Sequence, residues 1–199
     1  FFAGDFASPE QIIPPEGIVD EDGNSIPWEA CITMNNHWGY SSTDKNFKSA
    51  KMIIRKLVEC VSKNGNLLLN VGPNAKGQIP QESLDILEQI GLWMKENGES
   101  IYNAGKSNFP KPEWGYFTQN KHKLYAHIFE GSIGPLGIQD LNGKAKKARL
   151  LSDGSEIKII KPWNTMDYND YIFINFGTPE HLTYSLPDDI DTVVEFELI

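Results

Sequence analysis

The chain has 199 residues, 40% of them hydrophobic, which allows one large or two small domains with a real core. Its formal net charge is −9, and the only basic run, Lys144 to Arg149, lies beside a glycine-containing turn, so we expect no nucleic-acid partner. No apolar run is long enough to span a membrane. The chain begins Phe-Phe-Ala rather than with Met, so we expect a piece of a longer protein or a processed product.

Neither the cysteines nor the histidines indicate a disulfide framework or a metal site. The two cysteines, Cys31 and Cys60, are too few for a framework and are most simply free thiols. The spacing of the four histidines does not match that of metal ligands; they are His37, His122, His127 and His181.

The first 27 residues, rich in proline, glycine and acidic residues, predict a long loop. Ser8-Pro9-Glu10 predicts a short helical turn that Pro14-Pro15 would end. Long irregular loops in a folded domain are often functional. The carboxylates that are candidates for acid/base chemistry are Asp5, Glu10, Glu16 and Glu29, although a single acidic loop residue is more often a solvated surface charge.

Residues 28 to 40 read WEACITMNNHWGY and predict a short strand followed by a polar and aromatic loop. In the loop, His37, Trp38 and Tyr40 crowd together. Flat aromatic faces suit the C–H surfaces of a sugar, and amides suit its hydroxyls. Alternatively, Trp38 and Tyr40 cover the core, and composition does not separate the two interpretations.

The next 60 residues predict a helix, a strand buried on both faces and a second helix, which is typical of an α/β unit around a parallel sheet. The strand is the apolar run Leu67 to Leu69. Ser49 is the expected N-cap of the first helix and Asn64-Gly65 its left-handed stop. The apolar stripes of the helices are Ala50, Ile53, Ile54, Leu57, Val58 and Val61, then Leu84, Leu87, Ile90, Gly91 and Met94.

Val71 to Gly77 follows the predicted strand and is a candidate rim loop, because functional groups gather at the carboxyl ends of parallel strands. The alternative is that Asn70 and Asn74 serve only the turn.

The second half of the chain has a different pattern. After a further strand-like segment at Ser100 to Gly105, prolines and glycine mark a domain boundary, with one domain at 1–108 and another at 109–199. Short segments rich in β-branched and aromatic residues then predict a β-sandwich. They are Gly115–Thr118, Lys123–Phe129, Ala148–Leu151, Ile157–Ile160, Tyr171–Phe176 and Val193–Leu198.

Three blocks of sequence resemble the α-L-fucosidases of glycoside hydrolase family 29. They are GDFASPEQ at Gly4 to Gln11, WEACITMNNHWGY at Trp28 to Tyr40, and Leu57 to Ala104, which contains VSKNGNLLLNVGPNAKGQIP. The resemblance implies the C-terminal portion of a (β/α)8-like TIM barrel at 1–108 and a C-terminal β-sandwich at 109–199. It also implies retaining hydrolysis of terminal α-L-fucose from glycans, without a cofactor.

The resemblance implies roles for single residues. Glu10 matches the general acid/base of several family members, a role that needs a pKa raised by partial burial. Trp38 matches an aromatic residue that packs against the C6 methyl group of fucose. Trp28, Glu29 and His37 fall in motifs near the substrate and are candidates for binding it.

The family's nucleophile is an Asp on an earlier barrel strand, and no residue here matches it. In retaining enzymes the two carboxyl groups stand about 5 to 5.5 Å apart. We therefore expect this chain to be inactive and poorly soluble by itself, with a missing N-terminal barrel segment as its partner. Homo-oligomerisation is left open, and the resemblance implies a lysosomal, secreted or periplasmic protein.

Two other hypotheses compete with the enzyme. In the first, the chain is a non-catalytic carbohydrate-binding protein derived from a fucosidase, which the lack of a matching nucleophile favours only if the chain is the complete gene product. Alternatively, residues 110 to 199 are a structural or interaction domain.

Overall fold

The computed structural model describes residues 4–161, 167–177 and 185–199. The chain divides into two units between Lys95 and Glu96. This division lies before the boundary predicted at 108/109, because Gly105–Lys106 pairs with a strand of the second unit. Within the described ranges, no helix is long and apolar enough to cross a membrane.

The first unit is built around a parallel pair of strands joined by a helix. Strand β1 (Trp28–Thr33) pairs with β2 (Gly65–Asn70) in a register that runs from Trp28 opposite Gly65 to Thr33 opposite Asn70. Helix α1 (Ala50–Val61) lies between the two strands in the chain. The predicted α/β order is therefore confirmed.

The other edge of β1 pairs in parallel with residues 7–11. Ala7 bridges Trp28 and Glu10 bridges Cys31. The amide of Cys31 donates to Pro9 O at 3.0 Å, and the amide of Gln11 donates to Cys31 O at 2.9 Å. The prediction of a helical turn at Ser8-Pro9-Glu10 was wrong, because the backbone here hydrogen-bonds to β1 instead of to itself.

Helix α1 forms as its sequence predicts. The Ser49 side chain accepts a hydrogen bond from the amide of Met52 at 3.1 Å, which caps the first turn. The apolar stripe faces the core, with Ala50, Ile53, Ile54, Val58, Cys60 and Val61 buried. Asn64 has a φ of 59°, which turns the chain into β2.

The strand predicted at Leu67 to Leu69 forms, but it is not buried on both faces. Leu68 is 48% exposed, and Leu67 and Leu69 are only partly buried. Among the described residues, β2 pairs with β1 alone, so its other edge receives no cover from a neighbouring strand.

Helix α2 (Gln81–Asn97) follows Pro80 as predicted. Its buried side differs from the predicted stripe, since Trp93 is buried and Leu84 is exposed. A 3-10 turn at Gly98–Ser100 follows, and residues 101–103 form a turn. The strand-like segment predicted at Ser100 to Gly105 was wrong except at Gly105, where a short strand, Gly105–Lys106, begins.

The second unit is all-β apart from its first turn. In chain order, strands β3 to β10 are Gly105–Lys106, Gly115–Asn120, Lys123–Ile128, Leu136–Ile138, Ala145–Leu150, Ile159–Ile160, Ile172–Ile174 and Thr192–Leu198. One antiparallel sheet has the order β3-β4-β5-β10-β7, and a smaller one has the order β6-β9-β8. All six predicted segments overlap strands, while β6 was not predicted and β3 was predicted only at its first residue.

Side chains from both sheets of the second unit share one apolar cluster. Leu124 and Phe196 come from the larger sheet, and Ile138 and Ile174 come from the smaller one. Burial of this surface is the main force that holds the two sheets together.

Trp28 fixes where β2 begins. Its side chain is only 1% exposed and packs with Ala30 and Cys60, and its indole N–H donates to Lys63 O at 3.2 Å. A Cβ atom added at Gly65 would lie 2.2 Å from the indole carbons. The first residue of β2 must therefore be glycine for the indole to occupy this position.

We predict that Gly65→Ala destabilises the protein by about 1–3 kcal/mol, because the methyl group would overlap the Trp28 ring. Gly91→Ala is the matched control. It lies exposed in α2 with no atom near the added Cβ, and it should stabilise the helix by about 1 kcal/mol. Denaturant unfolding of both variants beside the wild type measures the difference, and an equal loss for both would contradict the prediction.

Candidate active site

Three parallel segments of the first unit end at one edge, which we call the carboxyl edge. Residues 7–11, β1 and β2 run in the same direction, so Gln11, Thr33 and Asn70 lie at their ends. The Gln11 side chain joins the first two ends, donating from Nε2 to Thr33 Oγ1 at 3.0 Å. In parallel α/β sheets, ligands bind at this edge.

Glu10 lies beside the carboxyl edge, opposite Cys31 in the pairing with β1. Its side chain is exposed, so the described residues do not supply the partial burial that a general acid/base needs. Two other acidic candidates, Asp5 and Glu16, are also exposed. Of the three, only Glu10 is paired with β1.

The β1–α1 loop, residues 34–49, carries the predicted aromatic residues. Trp38 is 40% exposed and Tyr40 is 50% exposed, so neither ring is part of the core of the described residues. Of the two interpretations that the sequence left open, the structure favours accessible rings over core cover. Exposed aromatic faces beside polar groups suit the binding of a sugar.

Asp44 organises this loop, and the sequence did not single it out. Although polar, it is only 7% exposed. Its Oδ2 accepts from the amide of Asn36 at 2.9 Å and pairs with His37 Nδ1 at 2.7 Å. Its Oδ1 accepts from Asn36 Nδ2 at 3.2 Å and from the amide of Asn46 at 3.0 Å.

The charge of Asp44 is stabilised by these donors. The hydrogen bonds from the Asn46 amide, His37 and the Asn36 amide lower the pKa of Asp44 to about 2 against the opposing effect of burial. His37 was predicted to bind substrate. In this structure its Nδ1 contacts Asp44, and more than half of its side chain stays exposed.

Lys48 holds the end of β1 from the other side of the loop. Its Nζ donates to Thr33 O at 2.6 Å and to Asn35 O at 3.2 Å, and its amide donates to Met34 O at 2.8 Å. Burial lowers the pKa of Lys48, and the negative charge of Asp44 acts against that shift. The lysine thus satisfies carbonyl groups that leave the sheet where β1 ends.

The β2–α2 loop, residues 71–80, packs against the β1–α1 loop. Asn70 Nδ2 donates to Trp38 O at 2.8 Å. A Cβ atom at Gly72 would lie 2.7 Å from the carbonyl carbon of Gly39 and 2.8 Å from the nitrogen of Tyr40, so the two backbones are in direct contact. Asn70 therefore does more than terminate β2, because it fixes the backbone at Trp38.

Asn74, by contrast, serves its own turn, as the alternative interpretation has it. Its Oδ1 accepts from the amides of Lys76 at 2.9 Å and Gln78 at 3.1 Å.

A cleft of about 150 Å³ lies between these two loops. Lys45 Nζ and Glu82 Oε1, 3.0 Å apart, link the two sides. The lining is mostly amide, hydroxyl and charged, and includes Asn35, Tyr40, Ser41, Asp44, Asn70 and Asn74. Groups of this kind hydrogen-bond to hydroxyl-rich ligands.

Trp28 and Glu29 lie on β1 and differ in burial. The buried Trp28 packs in the core, which gives it a structural role in this chain. Glu29 is half-buried, and its amide donates to Ala7 O at 3.0 Å. Residues on a strand alternate between its faces, so the two side chains point in opposite directions.

The second unit contains a buried Thr–His–Asp arrangement that the sequence did not reveal. His127 Nδ1 lies 2.7 Å from Asp191 Oδ2, and His127 Nε2 lies 3.1 Å from Thr118 Oγ1. All three side chains are buried, so a substrate has no access to them. Across the described ranges, no group of three or more His, Cys, Asp or Glu residues is arranged to hold a metal ion. His181 lies outside those ranges.

Several known proteins are similar to this chain in sequence and in fold. The family model described as alpha-L-fucosidase matches residues 2–99. The α-L-fucosidase of Dictyostelium discoideum is 32% identical over 173 residues, which are 75% of this chain and 38% of that protein. The structure of α-L-fucosidase isoenzyme 1 from Paenibacillus thiaminolyticus is 59% identical, with a TM-score of 0.94 over 99% of this chain and 46% of that one.

A family 29 α-L-fucosidase from Bacteroides thetaiotaomicron, whose structure holds a trapped covalent intermediate, is 25% identical. Its TM-score is 0.78 over 98% of this chain and 44% of that one. The chain thus spans less than half the length of each of these relatives. By sequence and by fold, the chain resembles the α-L-fucosidases of glycoside hydrolase family 29.

Proposed function

We propose that these residues form part of the active site of a retaining α-L-fucosidase that releases terminal α-L-fucose from glycans. The main support is that Glu10 is paired with β1 beside the loop that carries Trp38, in a chain 59% identical to the Paenibacillus thiaminolyticus α-L-fucosidase over 99% of its length. Fold alone does not imply an activity, so the proposal depends on these residues.

In this mechanism Glu10 transfers protons in two steps. First, a nucleophilic carboxylate attacks C1 of fucose, the C1–O bond to the leaving group breaks, and Glu10 gives its proton to the departing oxygen. Then Glu10 takes a proton from water, the water oxygen bonds to C1, and the bond to the nucleophile breaks. The covalent intermediate trapped in the Bacteroides thetaiotaomicron relative supports this two-step route.

The nucleophile comes from outside these 199 residues, because none of them matches the family's Asp. Glu10 also needs cover that the described residues do not provide, since its side chain is exposed. Both requirements are met if other barrel strands stand beside residues 7–11. Those strands would place the nucleophile opposite Glu10 and partly exclude water from it.

Trp38 would recognise the C6 methyl group of fucose. Its ring is accessible, and its backbone is held at the carbonyl oxygen by Asn70. An aromatic face gives apolar contact to a methyl group, and such a contact discriminates only moderately against an added hydroxyl group. The neighbouring cleft, with its amides and hydroxyls, suits the polar sugar that leaves.

The domain assignment is part of this proposal. The parallel segments and crossover helix of the first unit are what a portion of a (β/α)8 barrel requires, and residues 1–108 are assigned to it. The two antiparallel sheets that share one apolar cluster suit a β-sandwich, assigned to 109–199. We assign the sandwich a structural rather than a catalytic role, because its Thr–His–Asp group is buried.

A second candidate function is non-catalytic carbohydrate binding. The observation that favours it is the exposed aromatic and amide rim on a chain in which no residue matches the nucleophile. Under this alternative the rim binds fucose without cleaving it.

The test of the enzyme proposal is Glu10→Gln in the complete protein that carries this chain. We expect kcat on an aryl α-L-fucoside with a poor leaving group to fall by about 10²- to 10⁴-fold, because proton transfer to that oxygen is lost. Azide should restore turnover on an activated substrate, because it needs no proton removal to attack the covalent intermediate.

The matched control is Glu16→Gln, an exposed carboxylate that follows in the same loop and should leave kcat unchanged. If Glu10→Gln retains activity, the acid/base assignment is wrong. A complete protein that binds fucose but hydrolyses no fucoside would support the carbohydrate-binding alternative.

A further inference from the structure

We propose that Asp44 is a positioning residue that fixes the orientation of Trp38 and thereby sets the discrimination of the enzyme for the C6 methyl group of fucose. The inference rests on the proposed function and names a residue that determines specificity at the same site.

The Asp44 carboxylate joins two parts of the β1–α1 loop, one on each side of the aromatic residues. Asp44 receives two hydrogen bonds from Asn36 and one each from His37 and Asn46. Asn36 and His37 directly precede Trp38 in the chain, so Asp44 fixes the backbone on its N-terminal side. Asn70 fixes the next peptide through Trp38 O, and the ring is therefore carried by a backbone held on both sides.

Asp44 is buried, while the Trp38 ring that it positions is accessible. Asp44 is almost fully enclosed, and Trp38 keeps 40% of its surface exposed. Packing constrains the rotamer of a partly exposed ring less than that of a core residue, so the position of the backbone contributes more to its direction. A buried carboxylate with four donors is a rigid support, because hydrogen bonds to a charged acceptor are about twice as strong as neutral ones.

The negative charge at Asp44 is specifically required. A carboxylate only accepts hydrogen bonds, and all four of its partners are donors. An asparagine amide has the same shape but offers NH2 in place of one oxygen, so one pair of donors would face another donor. Asp44→Asn should therefore loosen residues 36 and 37 without changing the volume of the core.

The experiment is a double-mutant cycle in the complete protein. The readout is the ratio of kcat/KM for an aryl α-L-fucoside to that for the matching α-L-galactoside, which differs only by a hydroxyl group on C6. Trp38→Ala should lower this ratio by about 10-fold or more, in the range typical for a single small group in an apolar contact. Asp44→Asn should lower it in the same direction.

The decisive result is the double variant. If Asp44 acts through Trp38, then Asp44→Asn combined with Trp38→Ala lowers the ratio no further than Trp38→Ala alone. A merely structural role would reduce kcat/KM for both substrates equally and leave the ratio unchanged. The inference is overturned if the effects of the two substitutions on the ratio multiply in the double variant, or if Asp44→Asn alone leaves the ratio unchanged.

The matched control is Asp20→Asn. Asp20 also anchors a turn, accepting from the amides of Asp22 at 3.0 Å and Asn24 at 2.7 Å, but this turn precedes β1 and carries no aromatic residue. Its substitution should leave the ratio unchanged. If Asp44→Asn does not fold, Asp44→Glu, which keeps the charge but displaces it by one methylene, should lower the ratio in the same direction.

Failure of the proposed function is distinguishable from failure of the inference. A complete protein that cleaves neither substrate overturns both. If the protein is active but Trp38→Ala leaves the fucoside/galactoside ratio unchanged, Trp38 does not bind the methyl group, and the inference fails with that role. Activity with a ratio that responds to Trp38 but not to Asp44 overturns the inference alone.

A pH series gives a second prediction. The pKa of Asp44 is lowered from 3.8 to about 2, so its contribution to stability is complete above 3.8 and is lost as the pH falls towards about 2. His37 and Lys48 are the charged or titratable groups that act on it. The difference in Tm between wild type and Asp44→Asn should therefore shrink over that interval, and a constant difference would contradict the assignment.

Discussion

Strand β1 is hydrogen-bonded in parallel on both edges, and the positions of the candidate residues follow from this pairing. Residues 7–11 lie on one side and β2 on the other, so three segments that are distant in the chain end together. Glu10 lies in residues 7–11, the β1–α1 loop follows β1, and Asn70 ends β2. A shift of one residue in either register would reverse the side chains of that segment to the other face.

Two charged side chains, the buried Asp44 and the partly buried Lys48, then hold the irregular backbone beyond the sheet. Amides and carbonyls that leave a parallel sheet need new partners, because a buried polar group without one costs free energy. Lys48 supplies donors to the carbonyl groups of Thr33 and Asn35, and Asp44 supplies acceptors to the amides of Asn36 and Asn46. Two opposite charges thus replace the ladder of hydrogen bonds that ends with β1.

The sequence predicted what depends on periodicity and missed what depends on pairing. Helix α1 was predicted down to its cap at Ser49, because a 3.6-residue stripe is a local signal. The extended segment at Pro9 and Glu10 was mistaken for a helical turn, since its hydrogen bonds run to β1, about 20 residues away in the chain. Asp44 was missed because a single acid in a polar stretch gives no sign that it is buried.

The contact between Gly72 and the backbone at Gly39 and Tyr40 has a consequence for how such a site diversifies. With no side chain between them, the backbones of the two loops are in direct contact. A change of length or shape in one loop would therefore displace the other. New sugar preferences would then arise from paired changes in the loops rather than from one loop alone. Exchanging one loop between relatives would transfer the residues of that loop. It would not transfer their positions, because these depend on the second loop.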